Sequence, residues 1–125
     1  KLLFLDIDAQ QLTGSIPDAI FDIQKLQTLD LNSNQLTGTL SASIGNLTNL
    51  KFFQVDNNKM SGTMPDVFNG LLVLEESTFE DNGFTGVMPP SICGLRSESL
   101  TLLQGDCDQC RSAQPLPCCT ACLDA

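Results

Sequence analysis

Residues 26–47 read LQTLDLNSNQLTGTLSASIGNL, and this stretch decides the architecture of the chain. Its frame is L-x-x-L-x-L-x-x-N-x-L-x-G-x-I-P-x-x-I-x-x-L, and it recurs every 24 residues. Leu2, Leu26, Leu50 and Leu74 open the units, while Gly14, Gly38, Gly62 and Gly86 share one later position. A fixed period of this length is the signature of stacked structural units, each forming one rung of a solenoid. The opening L-x-x-L-x-L predicts a short strand whose alternate side chains face inward. Its neighbours lie one period away in sequence, so the strands stack into a parallel sheet. The inward slots are Leu5, Leu29, Phe53 and Ser77, then Ile7, Leu31, Val55 and Phe79. Asn34, Asn58 and Asn82 follow the strands, where the chain turns and side-chain amides can pair with backbone groups that lack ladder partners.

The L-x-G-x-I-P element, carried best by Leu12-Thr13-Gly14-Ser15-Ile16-Pro17 and Met60-Ser61-Gly62-Thr63-Met64-Pro65, resembles the plant type of the leucine-rich-repeat family. The resemblance covers Lys1 to about Ser97 and extends to polygalacturonase-inhibiting proteins and plant receptor-kinase ectodomains. It implies a right-handed α/β leucine-rich-repeat solenoid that presents a concave parallel sheet to ligands. Three positions depart from the pattern. Ser41 replaces the signature proline, Gln10 the first asparagine, and Ser77 a core leucine. The last change is expected to leave a void or a hydroxyl paired to the backbone, weakening the fourth rung by on the order of 1 kcal/mol.

The repeats are expected to occupy residues 1–97, with a cap over 98–125. After Gly94-Leu95-Arg96 the period stretches, Leu100-x-x-Leu103 begins a fifth partial strand, and repetition stops at Cys107. Six cysteines are concentrated here: Cys93, Cys107, Cys110, Cys118, Cys119 and Cys122. They predict a disulfide-stapled cap made in an oxidising compartment. Cys118 and Cys119 are adjacent and do not suit one another, and Cys93 is expected to join a tail cysteine and tie cap to rung. The remaining pairing is open. A competing reading takes Cys107-x-x-Cys110 and Cys119-x-x-Cys122 as four thiolate ligands for zinc. It leaves Cys93 and Cys118 unused. The cysteine-rich end also resembles, over a short stretch, leucine-rich-repeat proteins of diatoms and related algae.

Composition points to the secretory pathway. Asn46-Leu47-Thr48 is an N-glycosylation sequon at the end of a repeat, away from the sheet. No apolar run approaches the ~20 residues needed to cross a bilayer. A first rung beginning at Leu2 with no polar cap is expected to be covered by further repeats or by another subunit.

The outward positions of the sheet are the candidate ligand-binding surface, since the inward ones are committed to the core. They form columns: Phe4, Thr28, Phe52 and Glu76; Asp6, Asp30, Gln54 and Thr78; Asp8, Asn32, Asp56 and Glu80; Ala9, Ser33, Asn57 and Asp81. Seven of the chain's 15 acids fall in these columns, and Lys51 at the margin is the nearest base. Strands ~4.8 Å apart would crowd Asp6, Asp8 and Asp30. Such a face suits a basic protein or peptide, or a calcium ion, with Phe4 and Phe52 as apolar anchors. The bland account is that a chain of net charge −9 spreads carboxylates over every polar surface. Nucleic acid is excluded by the sign of the charge. Catalysis is not expected. The chain has no histidine or tyrosine, and a carboxylate pair such as Asp30 and Asp56 on an open sheet is neither desolvated nor positioned. Two non-catalytic alternatives remain: a structural subunit of an extracellular assembly, and a hydroxyl array for ice or polysaccharide built from Thr13, Ser15, Thr37, Thr39, Ser61, Thr63 and Thr85.

Overall fold

The computed structural model describes residues 2–123. Lys1, which opens the expected repeat segment, and Asp124 and Ala125, which end the expected cap, lie outside the described residues.

Five strands recur once per rung: β1 (Phe4–Asp6), β3 (Thr28–Asp30), β5 (Phe52–Gln54), β7 (Glu76–Thr78) and β9 (Leu102–Asp106). All pair in parallel, and the register is the one the 24-residue period demands. Phe4 lies opposite Thr28, Thr28 opposite Phe52, and Phe52 opposite Glu76. The next step, from Glu76 to Leu102, absorbs two extra residues. Leu29, Phe53, Ser77 and Leu103 form the inward column, each fully buried. Short second strands follow: β2 (Thr13–Gly14) pairs with β4 (Gln35–Leu36), and β6 (Ser61–Thr63) with β8 (Gly83–Thr85). The chain returns through single turns of 3-10 helix at Asp18–Asp22, Ala42–Asn46 and Phe68–Gly70. Among the described residues, only Pro90–Cys93 (α1) and Cys107–Cys110 (α2) are α-helical. The α/β alternation is therefore carried mostly by 3-10 turns, because each return has too few residues to sustain an α-helix.

Asparagine fastens one rung to the next. Asn58 Nδ2 donates to the carbonyls of Leu31 at 2.9 Å and Val55 at 3.0 Å, while its Oδ1 accepts from the Leu36 N–H at 3.0 Å. Asn34 and Asn82 repeat the pattern, with Asn34 Oδ1 accepting from both Gln10 and Leu12. The side chain of Gln10, where the first asparagine is replaced, donates to the Asp8 carbonyl of its own rung. The signature glycine has its own reason. Gly62 has φ +79°, and a Cβ there would stand 2.9 Å from the Thr39 methyl of the rung below. Both the backbone conformation and the close approach require its absence.

The core runs the length of the coil. Phe79 sits at its aromatic centre, with edge-to-face partners Phe53 at 5.7 Å, Phe68 at 6.2 Å and Phe84 at 6.4 Å. Ser77, in the leucine slot, is fully buried, and its hydroxyl has no hydrogen-bond partner among the described residues. Of the two outcomes expected for it, backbone pairing is the one not realised.

The tail closes the coil in a way its sequence does not announce. β10 (Ala121–Leu123) adds a sixth parallel strand beside β9, with Cys122 opposite Gly105. Thr120 prepares the pairing, its Oγ1 accepting from Leu103 N–H at 3.0 Å. Three disulfides join Cys93 to Cys118, Cys107 to Cys122 and Cys110 to Cys119. The first ties cap to rung through Cys93. The four sulfurs that a zinc site would use are all consumed by the other two bridges. Arg96 adds a polar clamp, donating to the carbonyls of Cys118 and Leu100, each at 2.9 Å.

Candidate functional site

Period and register carry the predicted columns to one face of the six-stranded sheet. Phe4, Thr28, Phe52 and Glu76 lie side by side, as do Asp6, Asp30, Gln54 and Thr78. The parallel ladder continues past the strands, with Leu31 N–H bonded to Gln54 O at 2.8 Å and Asn57 N–H to Glu80 O at 3.0 Å. It therefore also aligns Asp8, Asn32, Asp56 and Glu80. Two columns extend into the fifth rung through Leu102 and Gln104, opposite Glu76 and Thr78. Neither was among the predicted residues, and the two-residue stretch in period is what displaced them from the frame.

The surface is graded. At its first-rung end Phe4 is 61% exposed, and Asp6 and Asp8 are open to solvent. In the middle Thr28, Asp30, Asn32, Phe52, Gln54 and Glu76 are half-buried. Toward the cap Asp56, Thr78 and Glu80 are buried. Phe52 is thus not fully exposed as expected, since the neighbouring strands place Thr28 and Glu76 against it. Asp56 and Glu80 likewise differ from freely outward residues. Asp56 Oδ1 accepts from the Thr78 hydroxyl at 2.5 Å and its Oδ2 from Asn57 Nδ2 at 2.8 Å, so this carboxylate already serves the sheet.

Electrostatics concentrate at the open end. Among the described residues, Asp6, Asp8 and Asp30 bring one carboxylate oxygen each within 4.8 Å of one another. Asp30 Oδ1 accepts from the Asn32 N–H at 3.1 Å, which orients it. The Asp8 carboxyl titrates above its ordinary value because it shares a hydrogen bond with Asp6 and feels that charge. Asp30 is pushed up first by burial, then by the charges of Asp6, Asp8 and Asp56. These three acids form a crowded oxygen cluster with the donor chemistry for a hard cation or a basic side chain.

Glu80 is the electrostatic liability of the buried end. It is 6% exposed, and its Oε1 has no hydrogen-bond partner among the described residues. Burial raises its pKa above the ordinary 4.5, and the charges of Asp56 and Asp106 add to the effect. A carboxyl whose folded pKa is raised contributes stability below its unfolded pKa and loses it as pH rises through the folded value. The thermal midpoint is therefore expected to rise as pH falls from neutrality toward 4.5, the ordinary value. Glu80→Gln should raise the midpoint at pH 7 by a few degrees and flatten that dependence. A variant melting below the wild type at pH 7 contradicts this account. Asp66, held low by Ser91, acts in the opposite sense but only below 3.8, outside this window.

Other predicted positions lie apart from the sheet. Asn46 ends the 3-10 turn Ala42–Asn46 and is exposed, with Leu47 beside it fully buried. The hydroxyl residues Ser15, Thr39 and Thr63 are exposed beside the second strands, and Val87 interrupts their row. The second strands pair with an offset, Thr13 facing Gln35 and Thr63 facing Thr85. No helix among the described residues is long and apolar enough to cross a membrane.

The Leucine Rich Repeat family model matches residues 25–47. No curated protein sequence matches the chain. Solved structures do. The ectodomain of the Arabidopsis thaliana receptor kinase GASSHO1/SCHENGEN3, in complex with CASPARIAN STRIP INTEGRITY FACTOR 2, is 38% identical at a TM-score of 0.74, over 84% of this chain and 12% of that one. The Arabidopsis HAESA ectodomain, in complex with an extended IDA peptide hormone ligand, is 36% identical at a TM-score of 0.72, over 83% of this chain and 16% of that one. The PEPR1–AtPEP1 structure is 27% identical at a TM-score of 0.75, over 82% of this chain and 14% of that one. The chain thus spans less than a fifth of these receptors' ectodomain chains. Period, asparagine ladder, sheet register and these likenesses agree: the chain is a leucine-rich-repeat solenoid, similar in build to the solenoids of plant receptor ectodomains.

Proposed function

We propose that this chain is a non-catalytic extracellular recognition module that binds a basic protein or peptide along the acidic face of its sheet. The observation that carries the reading is the approach of one carboxylate oxygen each of Asp6, Asp8 and Asp30 to within 4.8 Å of one another, on the face that also carries Phe4 and Phe52. Crowded carboxylates repel one another and gain from a counter-charge, and aromatic anchors supply the apolar contact around which interfaces organise. HAESA holds a peptide hormone, which supports a ligand of this class here. Three disulfides, the exposed sequon at Asn46 and the ectodomain relatives support passage through the secretory pathway, with a glycan at Asn46. The same aspartates offer oxygen ligands to calcium, as an adjunct to the polypeptide ligand.

Lysine-directed cross-linking in extracellular material, followed by mass spectrometry, tests the reading. Foreign peptides rich in lysine and arginine are expected at Lys51, beside the sheet. The double variant Asp30→Lys, Phe52→Ala is expected to reduce that capture at least tenfold while the protein stays folded, with a lowered midpoint because Phe52 is half-buried. Undiminished capture removes the sheet face as the site. Cross-links confined to further copies of the chain would instead make it a structural subunit of an extracellular assembly.

A further inference from the structure

Between the fourth rung and the cap lies a cleft of about 630 Å³, in the size range of ligand sites. Asp81, Asp106 and Asp108 line it together with Gln109, and Phe84 and Leu123 give it apolar walls. We infer that this cleft is a guanidinium-binding subsite, taking an arginine side chain of the polypeptide that lies on the sheet. The inference rests on the recognition reading above and deepens it by naming one side chain of the partner.

Gln109 is the first ground. It sits in α2, is 2% exposed, and neither its Oε1 nor its Nε2 has a hydrogen-bond partner among the described residues. Buried amides are almost always paired, so an unpaired one in a residue lining a cleft has an acceptor and a donor to offer a group that enters. Charge is the second ground. The cleft's lining contributes three carboxylates and, among the described residues, no lysine or arginine.

Geometry then chooses among cations. Asp6, Asp8 and Asp30 meet the condition that three carboxylate oxygens approach within 4.8 Å, and the acids of the cleft do not. They are spread too widely to chelate one metal ion together. A guanidinium spans such a set. It is planar, offers five N–H donors to separate acceptors, and is weakly hydrated, so its faces tolerate Phe84 and Leu123. An ammonium group is a compact and strongly hydrated charge that gains less from the same walls.

The cleft also continues the proposed ligand path. Asp81 follows Glu80 directly, and its N–H donates to Asp106 Oδ1 at 3.0 Å, where the rung before uses a backbone carbonyl. A chain lying on the sheet reaches the cleft by passing Thr78 and Glu80.

Nitrogen-15 spectra of the whole protein, titrated with N-acetyl-arginine amide and its lysine and citrulline analogues, test the inference. Arginine is expected to shift the Gln109 side-chain amide and the Asp81 and Asp108 backbone signals saturably. The lysine analogue should bind at least fivefold more weakly, and citrulline should leave those signals in place. Asp81→Asn with Asp108→Asn, both exposed and tolerant positions, should weaken arginine at least fivefold, whereas Asp6→Asn should not. Equal shifts with lysine, or shifts confined to Asp6, Asp8 and Asp30, overturn the subsite. The same holds if calcium chloride reproduces the arginine shifts. Capture at Lys51 and its loss in the Asp30→Lys, Phe52→Ala variant report on the sheet face separately, so failure of the subsite is distinct from failure of the recognition reading.

Discussion

Removing the Cys93–Cys118 bridge by paired substitution with serine is expected to destabilise the protein by ~2–4 kcal/mol in urea denaturation. The bridge closes a segment of 25 residues, and a cross-link over a loop of that size withdraws ~3 kcal/mol of conformational entropy from the unfolded chain. Both cysteines are 1% exposed, so the serines would also bury hydroxyls among apolar neighbours. Arg96, through its bonds to the carbonyls of Cys118 and Leu100, and Thr120, through its bonds to Leu103, still link this part of the cap to the last rung. Reducing all three bridges should go further and release β10 from β9. Leu103 and Met88, both fully buried, then meet water at the end of the coil. In a linear stack the terminal unit has a neighbour on one side only, so protection is expected to be lost from the cap inward. Hydrogen exchange reads this directly: the amides of Leu103 and Phe79 should exchange before those of Leu29 and Leu31. Superimposable urea curves for the paired variant and wild type would sink the proposal that this bridge fastens the cap.

Asn58→Ala should be at least as damaging, at ~3–5 kcal/mol, although it removes few atoms. The side chain satisfies the Leu36 N–H and the carbonyls of Leu31 and Val55 in one step. Asn58 itself is 8% exposed and Leu31, Leu36 and Val55 are all buried, so water does not readily replace it. Each buried group left unpaired costs ~1–3 kcal/mol. The damage also crosses a boundary between rungs, which is where a solenoid's cooperativity resides. Asn57→Ala is the internal control, because that side chain is exposed and its amide donates to Asp56; its φ of +57° adds only the modest strain of alanine in the left-handed region. Asn58→Asp is expected to fare no better than alanine, since a carboxylate retains the acceptor for Leu36 but turns negative charge on two carbonyls. A midpoint for Asn58→Ala that falls no further than that of Asn57→Ala contradicts the ladder's assigned weight.

Grading along the sheet shows how far such a site can be read in advance. Asp6, Asp8 and Asp30 were predictable as a crowd because strand spacing and a constant period determine which side chains become neighbours. Asp56 and Glu80 belong to the same columns, yet their environments differ from those of Asp8 and Asn32. Burial at the cap end depends on residues a full rung away, with Thr78 bonding Asp56 and Asp106 approaching Glu80. Those contacts follow packing rather than spacing. Gln109 carried no signal in one dimension, because an unpaired amide is defined by what fails to reach it.

By itself the sequence determined that this protein is a coil of 24-residue rungs, which side chains face inward, and which stand in each outward column. A strict period leaves one register that buries every leucine slot, and any slip would turn the apolar side chains toward water. It also favoured a cysteine-stapled end with Cys93 joined to a tail cysteine over a zinc site, and the Cys93–Cys118 bridge agrees with that expectation. Tertiary structure alone decided that Cys107 pairs with Cys122 and Cys110 with Cys119. It alone placed Ala121–Leu123 as a sixth strand and opened the cleft beside Gln109. The physical reason is common to all three. Beyond Leu103 no repeat ties one position to another, so proximity there is set by how a non-periodic tail packs against the last rung.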